Sequence, residues 1–141
     1  MLEESLLPRF YRDAPVNGIW EGSGNVICLD VLRAMVREPE SVDAFFAELD
    51  TARGTDQRLD AAVDRLRTDL TDVDGIETRA RRLVERMALV LQGTLLVRHG
   101  DPAVAEAFCA SRLAGDWGVA FGTLPRGVDF GRIIDRARPV A

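Results

Sequence analysis

Apolar residues recur along most of this chain every three or four positions, the interval that places them on one face of a helix. Leu59, Ala62, Val63, Leu66 and Leu70 keep that spacing, with aspartates and arginines on the far side. They predict an amphipathic helix. Gly75 separates it from a longer one over residues 76–98, whose stripe is Ile76, Ala80, Leu83, Val84, Met87, Leu91 and Leu95. Upstream, Pro39-Glu40-Ser41 opens a helix that turns Val42, Phe45, Phe46 and Leu49 inward and closes at Gly54. Residues 24–37 differ, because after Asn25 only Asp30, Arg33 and Arg37 are polar. A helix apolar on nearly every side expects neighbours on most of them.

The ends are less regular. A short helix over residues 3–13 is interrupted by Pro8 near its start. His99-Gly100-Asp101-Pro102 stops the long helix and caps another over residues 103–113. Residues 115–127 are glycine-rich and irregular, and residues 128–136 read as a last short helix. No segment alternates with a period of two, so no strand is predicted. The expected fold class is all-α, an antiparallel helical bundle in a single domain. Residues 1–22 would form a leading helix and turn, 23–114 the bundle, and 115–141 an irregular segment with a short terminal helix.

Composition narrows the class of protein. A chain of 141 residues is long enough to bury a core, and its 47% hydrophobic content suits a soluble globular domain. No apolar stretch reaches 18 residues and no secretory pattern opens the chain, so a cytoplasmic location without membrane contact is expected. Cys28 and Cys109 each lie in an apolar run and read as reduced core residues. His99 is the only histidine and falls at a helix C-terminus, where it can offset the dipole. With no second histidine and the cysteines far apart, no metal site is predicted. Asp30 and Arg33 suit an i,i+3 pair, and Trp117 suits a side chain pinning its loop to the bundle.

Charge is unevenly spread. Residues 1–75 hold 8 arginines against 16 acids, a net of −8, and residues 76–141 hold 10 against 7, a net of +3. Arg79, Arg82 and Arg86 recur at helical spacing, with Arg81 adjacent. Such a face can neutralise nucleic-acid phosphates, or it can be the solvated side of an amphipathic helix. The overall charge of −5 and the absence of a base-reading module favour the solvated reading.

The densest chemistry lies in Ile19-Trp20-Glu21-Gly22-Ser23-Gly24-Asn25, just ahead of the apolar run Val26-Ile27-Cys28-Leu29. Gly22 and Gly24 permit a tight turn and close approach of a ligand to the backbone. Ser23 is a good N-cap, and a helix start points backbone N–H groups outward, where they attract phosphate. Glu21 beside such a turn can serve as a general base. It can equally be an acid resting near the helix dipole.

The run Tyr11-Arg12-Asp13-Ala14, a short gap, then Ile19 to Asn25, resembles the C-terminal signature of the acyl-CoA dehydrogenase family. That family usually reads Tyr-Arg-Asp-Ala, then Ile-Tyr-Glu-Gly-Thr and a Gln, so Trp20, Ser23 and Asn25 are departures. They are similar to its DNA-alkylation-response, AidB-like branch, as is the continuation Cys28-Leu29-Asp30-Val31-Leu32-Arg33. The likeness is strong over roughly residues 4–37 and fades to a helical pattern beyond.

The resemblance implies a C-terminal part of an FAD-dependent oxidoreductase, with the domain that shields the flavin missing. Glu21 matches the carboxylate that takes the α-proton of an acyl-CoA thioester. Gly22, Ser23, Gly24 and Asn25 match positions that contact the flavin dinucleotide, and Trp20 would line the substrate pocket. A homo-oligomer is implied, and FAD is expected to bind the intact protein but not this fragment, which alone would be inactive. Two alternatives remain at this point. One is a DNA-associated alkylation-response module with vestigial dehydrogenase activity, and the other is a helical interaction domain without chemistry. Duplex DNA binding would fall to Arg79, Arg82 and Arg86, and the chain's acidity disfavours it.

Overall fold

The computed structural model describes residues 5–20, 22–116, 120 and 122–139. Among them every regular element is helical: α1 (Leu7–Asp13), α2 (Gly24–Arg37), α3 (Pro39–Asp50), α4 (Gln57–Thr71), α5 (Ala80–His99), α6 (Pro102–Phe108) and α7 (Phe130–Ala137). A 3-10 turn, Ala14–Gly18, follows α1, and another, Ile76–Arg79, leads into α5. The all-α helical bundle expected from the hydrophobic periodicity is therefore the architecture found. No helix among the described residues is long and apolar enough to cross a membrane.

The main core joins α3, α4 and α5. Leu49 and Ala52 meet the α4 stripe Leu59, Val63 and Leu66 and the α5 residue Val90, all buried, with Phe45, Phe46 and Met87 packed around them. Asp56 starts α4 by accepting from the backbone N–H groups of Arg58 and Leu59 at 2.8 and 3.3 Å, which satisfies two donors the helix leaves open. A second cluster, Leu32 with Ala80 and Leu83, docks α2 on the start of α5. Gly93 lets the bundle close at the other end of α5. A Cβ there would lie 3.0 Å from Leu113 Cδ1 and 3.2 Å from Leu59 Cδ1, tighter than side chains normally pack.

Two boundaries differ from the periodic reading. The stretch at residues 76–98 is not one helix, because Gly75 takes the left-handed conformation (φ +58°) and the chain makes a 3-10 turn before α5 begins at Ala80. The helix expected over residues 103–113 is α-helical only to Phe108. From Cys109 to Leu113 it widens to a π-helical turn, with the Ala114 N–H donating to the Cys109 carbonyl at 2.9 Å.

A third difference concerns α2. Its nearly all-round apolar composition predicts neighbours on most sides, yet only Leu32 is buried. Val26, Ile27 and Val36 face outward, Val36 at 83% exposure. Leu7, Phe10 and Tyr11 of α1 are exposed as well. The outermost apolar surface thus gathers at residues 6–36, where α5 covers one side of α2 and leaves the rest open.

Candidate functional site

The glycine-rich turn sits at the amino end of α2. Trp20 N–H donates to the Val16 carbonyl at 2.8 Å and Gly22 N–H to the Ile19 carbonyl at 3.1 Å, so the chain folds back just before the helix. Gly22 holds φ at +118°, a conformation side chains other than glycine's rarely adopt. Ser23 then extends (φ −70°, ψ 150°) as the N-cap, but its hydroxyl makes no cap bond. Among the described residues, no side-chain hydrogen bond caps the first turn of this 14-residue helix.

Gly22, Ser23, Gly24 and Asn25 therefore share one accessible turn at the positive end of a helix dipole. Trp20 stands beside them with 70% of its surface exposed. Glu21, the candidate base, lies outside the described residues, as does Trp117. Sequence reasoning missed one further component. A Cβ added at Gly24 would lie 3.8 Å from Nη2 of Arg81, so α5 lays a guanidinium beside the start of α2. Arg81 makes no ion pair among the described residues. Fifty-seven positions separate the two residues, and only the packing of α2 on α5 brings them together.

No protein-family model matches the chain. Two longer proteins do. AidB of Escherichia coli (strain K12), named as a candidate acyl-CoA dehydrogenase, is 38% identical over 117 residues, which are 83% of this chain and 21% of that protein. Acyl-CoA dehydrogenase family member 11 of Caenorhabditis elegans is 30% identical over 74% of this chain and 20% of its own length. The chain belongs to the acyl-CoA dehydrogenase family. It spans about a fifth of the length of these two curated relatives.

In this family member Arg79 is set apart from Arg82 and Arg86, the arginines it was expected to share a face with. Arg79 belongs to the 3-10 turn ahead of α5, where its guanidinium donates to the carbonyls of Asp72 and Asp74 at 2.6 and 3.2 Å and pairs with the Asp72 carboxylate. Arg86 is paired with Asp69 of α4. Arg82 alone of the three has no ion pair among the described residues, and it borders a cleft between α4 and α5. The turn at residue 76 causes the split, since it takes Arg79 out of register with the helix. Asp30 and Arg33 do pair, at 2.6 Å.

The remaining candidates are structural. His99 ends α5 and is exposed. Cys109 is fully buried, and burial, with the Asp56 carboxylate adding to it, pushes its thiol up to about 11, so it is protonated and unreactive at neutral pH. No group of three or more metal-ligating side chains occurs among the described residues.

Beside Cys109, Arg58 bridges Asp56 and Glu106, each at 2.6 Å, and ties the start of α4 to α6. The Arg58 guanidinium hydrogen-bonds both carboxylates and holds both below their usual range. Carboxylates depressed in the native state stabilise it above their unfolded pKa, and that contribution disappears as pH falls through the native value. Arg58→Ala is therefore expected to cost about 1–2 kcal/mol at neutral pH, mostly through the well-covered Asp56, since Glu106 is more exposed. Urea unfolding between roughly pH 7 and pH 2 checks it. The gap between wild type and variant should narrow as the carboxylates protonate, and a constant gap would refute the coupling.

Proposed function

We propose that this chain supplies the proton-abstracting turn and the phosphate side of the flavin site of an FAD-dependent acyl-CoA dehydrogenase-like oxidoreductase. The observation that carries the reading is the open, uncapped start of α2, with Gly22 at φ +118° and the Arg81 guanidinium beside Gly24. A backbone turn that no Cβ obstructs, a positive helix end and a cation together suit a dinucleotide phosphate. The residues present therefore fit the cofactor that the family implies.

In this reading Ser23 and Asn25 offer polar side chains to the dinucleotide, and the N–H groups around Gly24 meet its phosphate. Trp20 forms part of the acyl pocket wall, where a ring larger than tyrosine's narrows access. Glu21 removes the α-proton of the acyl thioester, a step that needs a carboxylate held over that carbon and shielded from water. The bound flavin supplies the acceptor for the hydride that leaves the β-carbon. The apolar faces of α1 and α2 support a role inside a larger, oligomeric protein, since Leu7, Phe10, Val26 and Val36 are surfaces that other segments would cover. The chain alone is then inactive and retains no flavin.

The DNA-associated alternative has less support. Two of its three arginines are engaged with aspartates of this chain, and the net charge is −5.

The test is a chimera in which this chain replaces the matching stretch of AidB. The chimera should purify with FAD and be reduced by an acyl-CoA that reduces AidB itself. Arg81→Ala should weaken FAD binding by about tenfold, the range for losing one charge-assisted contact. A chimera that folds but holds FAD equally well with and without Arg81 would overturn the phosphate-side assignment.

A further inference from the structure

On α5, Arg82 and Leu89 point about half a turn away from Ala80 and about a third of a turn from Leu83, the residues that pack on α2. That far side borders a cleft of about 690 Å3 shared by α4, α5, the end of α6 and the π-helical turn. Its apolar wall is Leu89, Val90, Phe108 and Leu113. Its charged groups come from three segments: Arg65 of α4, Arg82 and Arg86 of α5, and Arg112 of the π-turn, against a single lining carboxylate, Glu85. Asp69 occupies Arg86. Arg65 and Arg82 make no ion pair among the described residues, although Arg67, two positions along α4, pairs with Asp50 at 2.7 Å.

We propose that this cleft is a binding site for an anionic amphiphile, a single phosphate or carboxylate head carrying an apolar tail. The volume lies within the range of small-molecule pockets. Unpaired guanidiniums on two facing helices provide forks for a phosphate or carboxylate, which accepts two hydrogen bonds from each. The wall beneath them would be covered by a tail and gain the usual return on apolar area removed from water. A bare anion would leave that wall wet. A nucleic-acid backbone presents phosphates along a convex ridge, whereas these arginines line a concavity in an acidic chain. The site is separate from the glycine-rich turn and does not depend on the flavin reading.

Titration calorimetry of the 141-residue chain with decyl phosphate and with decanoate, both below their micellar concentrations, tests the proposal and tells the two head groups apart. One equivalent of at least one of them should bind. Inorganic phosphate and 1-decanol should each bind at least tenfold more weakly, because each supplies half of the recognition. Arg65→Gln with Arg82→Gln should weaken binding tenfold or more without moving the thermal midpoint, and the matching double lysine substitution should restore part of it. Leu7→Ser with Ile19→Ser removes exposed apolar side chains outside the cleft and should leave the affinity unchanged. The proposal fails if neither amphiphile binds, if the double glutamine variant binds as well as wild type, or if decanol binds equally. It fails also if a short DNA duplex displaces the amphiphile at micromolar concentration, which would make the cleft a nucleic-acid contact.

Discussion

Glu21→Gln in the AidB chimera is expected to slow acyl-CoA-dependent flavin reduction by a hundredfold or more while leaving the bound FAD unchanged. General-base catalysis is worth about that much or more, and the amide keeps the shape of the carboxylate while losing its affinity for a proton. In the sequence Glu21 stands two positions ahead of Ser23, the α2 N-cap. Glu21→Asp keeps the base but draws it back by a methylene. It should retain more activity than the amide and less than wild type, as misplacement rather than loss of the group predicts. The contrast separates a base from a residue that only shapes the turn. Stopped-flow bleaching of the flavin absorbance reads the rate, and the resting spectrum reads flavin content. Near-wild-type reduction by the glutamine variant would remove Glu21 from the mechanism and send the search for the base elsewhere in the protein.

What the sequence made legible was local. The run at residues 24–37 forms α2 over the same span, and the stripe from Leu59 to Leu70 lies within α4, because burial on one face imposes the helical period on the side chains themselves. The glycine turn was legible for the same reason, since its four residues are contiguous and glycine's freedom is intrinsic. Where several backbone geometries suit the same residues, the pattern was silent. Residues 76–79 keep the apolar spacing of a helix but close as a 3-10 turn after the left-handed Gly75, which detaches Arg79 from the arginine row. The π-turn at Cys109 left no mark either, though it carries Arg112 to the cleft. Arg81 at the head of α2, and Arg65 across from Arg82, depend on which helix packs on which. Spacing along one helix cannot report that.

The apolar surface of α2 yields the sharpest contrast in stability. Leu66 is fully buried among Leu49, Leu59, Val63 and Val90, so Leu66→Ala removes its packing and leaves a cavity. The expected cost is about 3 kcal/mol, a large part of the 5–15 kcal/mol typical of a domain, and a fall of roughly 10 °C in Tm. Ile27→Ser with Val36→Ser deletes a comparable amount of hydrocarbon from α2, yet both side chains already meet water. In the chain alone this pair should shift stability by no more than about 0.5 kcal/mol. In the AidB chimera the same pair should be costly, because the segments that cover α2 there would meet hydroxyls where they bury methyls. Calorimetry of both proteins, each with and without the substitutions, makes the comparison. If the pair lowered the Tm of the chain alone as much as Leu66→Ala does, α2 would be packed on its outer side without any larger partner. If it were silent in the chimera too, the open faces of α2 would be ordinary surface, and the argument that this bundle is built to be enclosed would lose its physical basis.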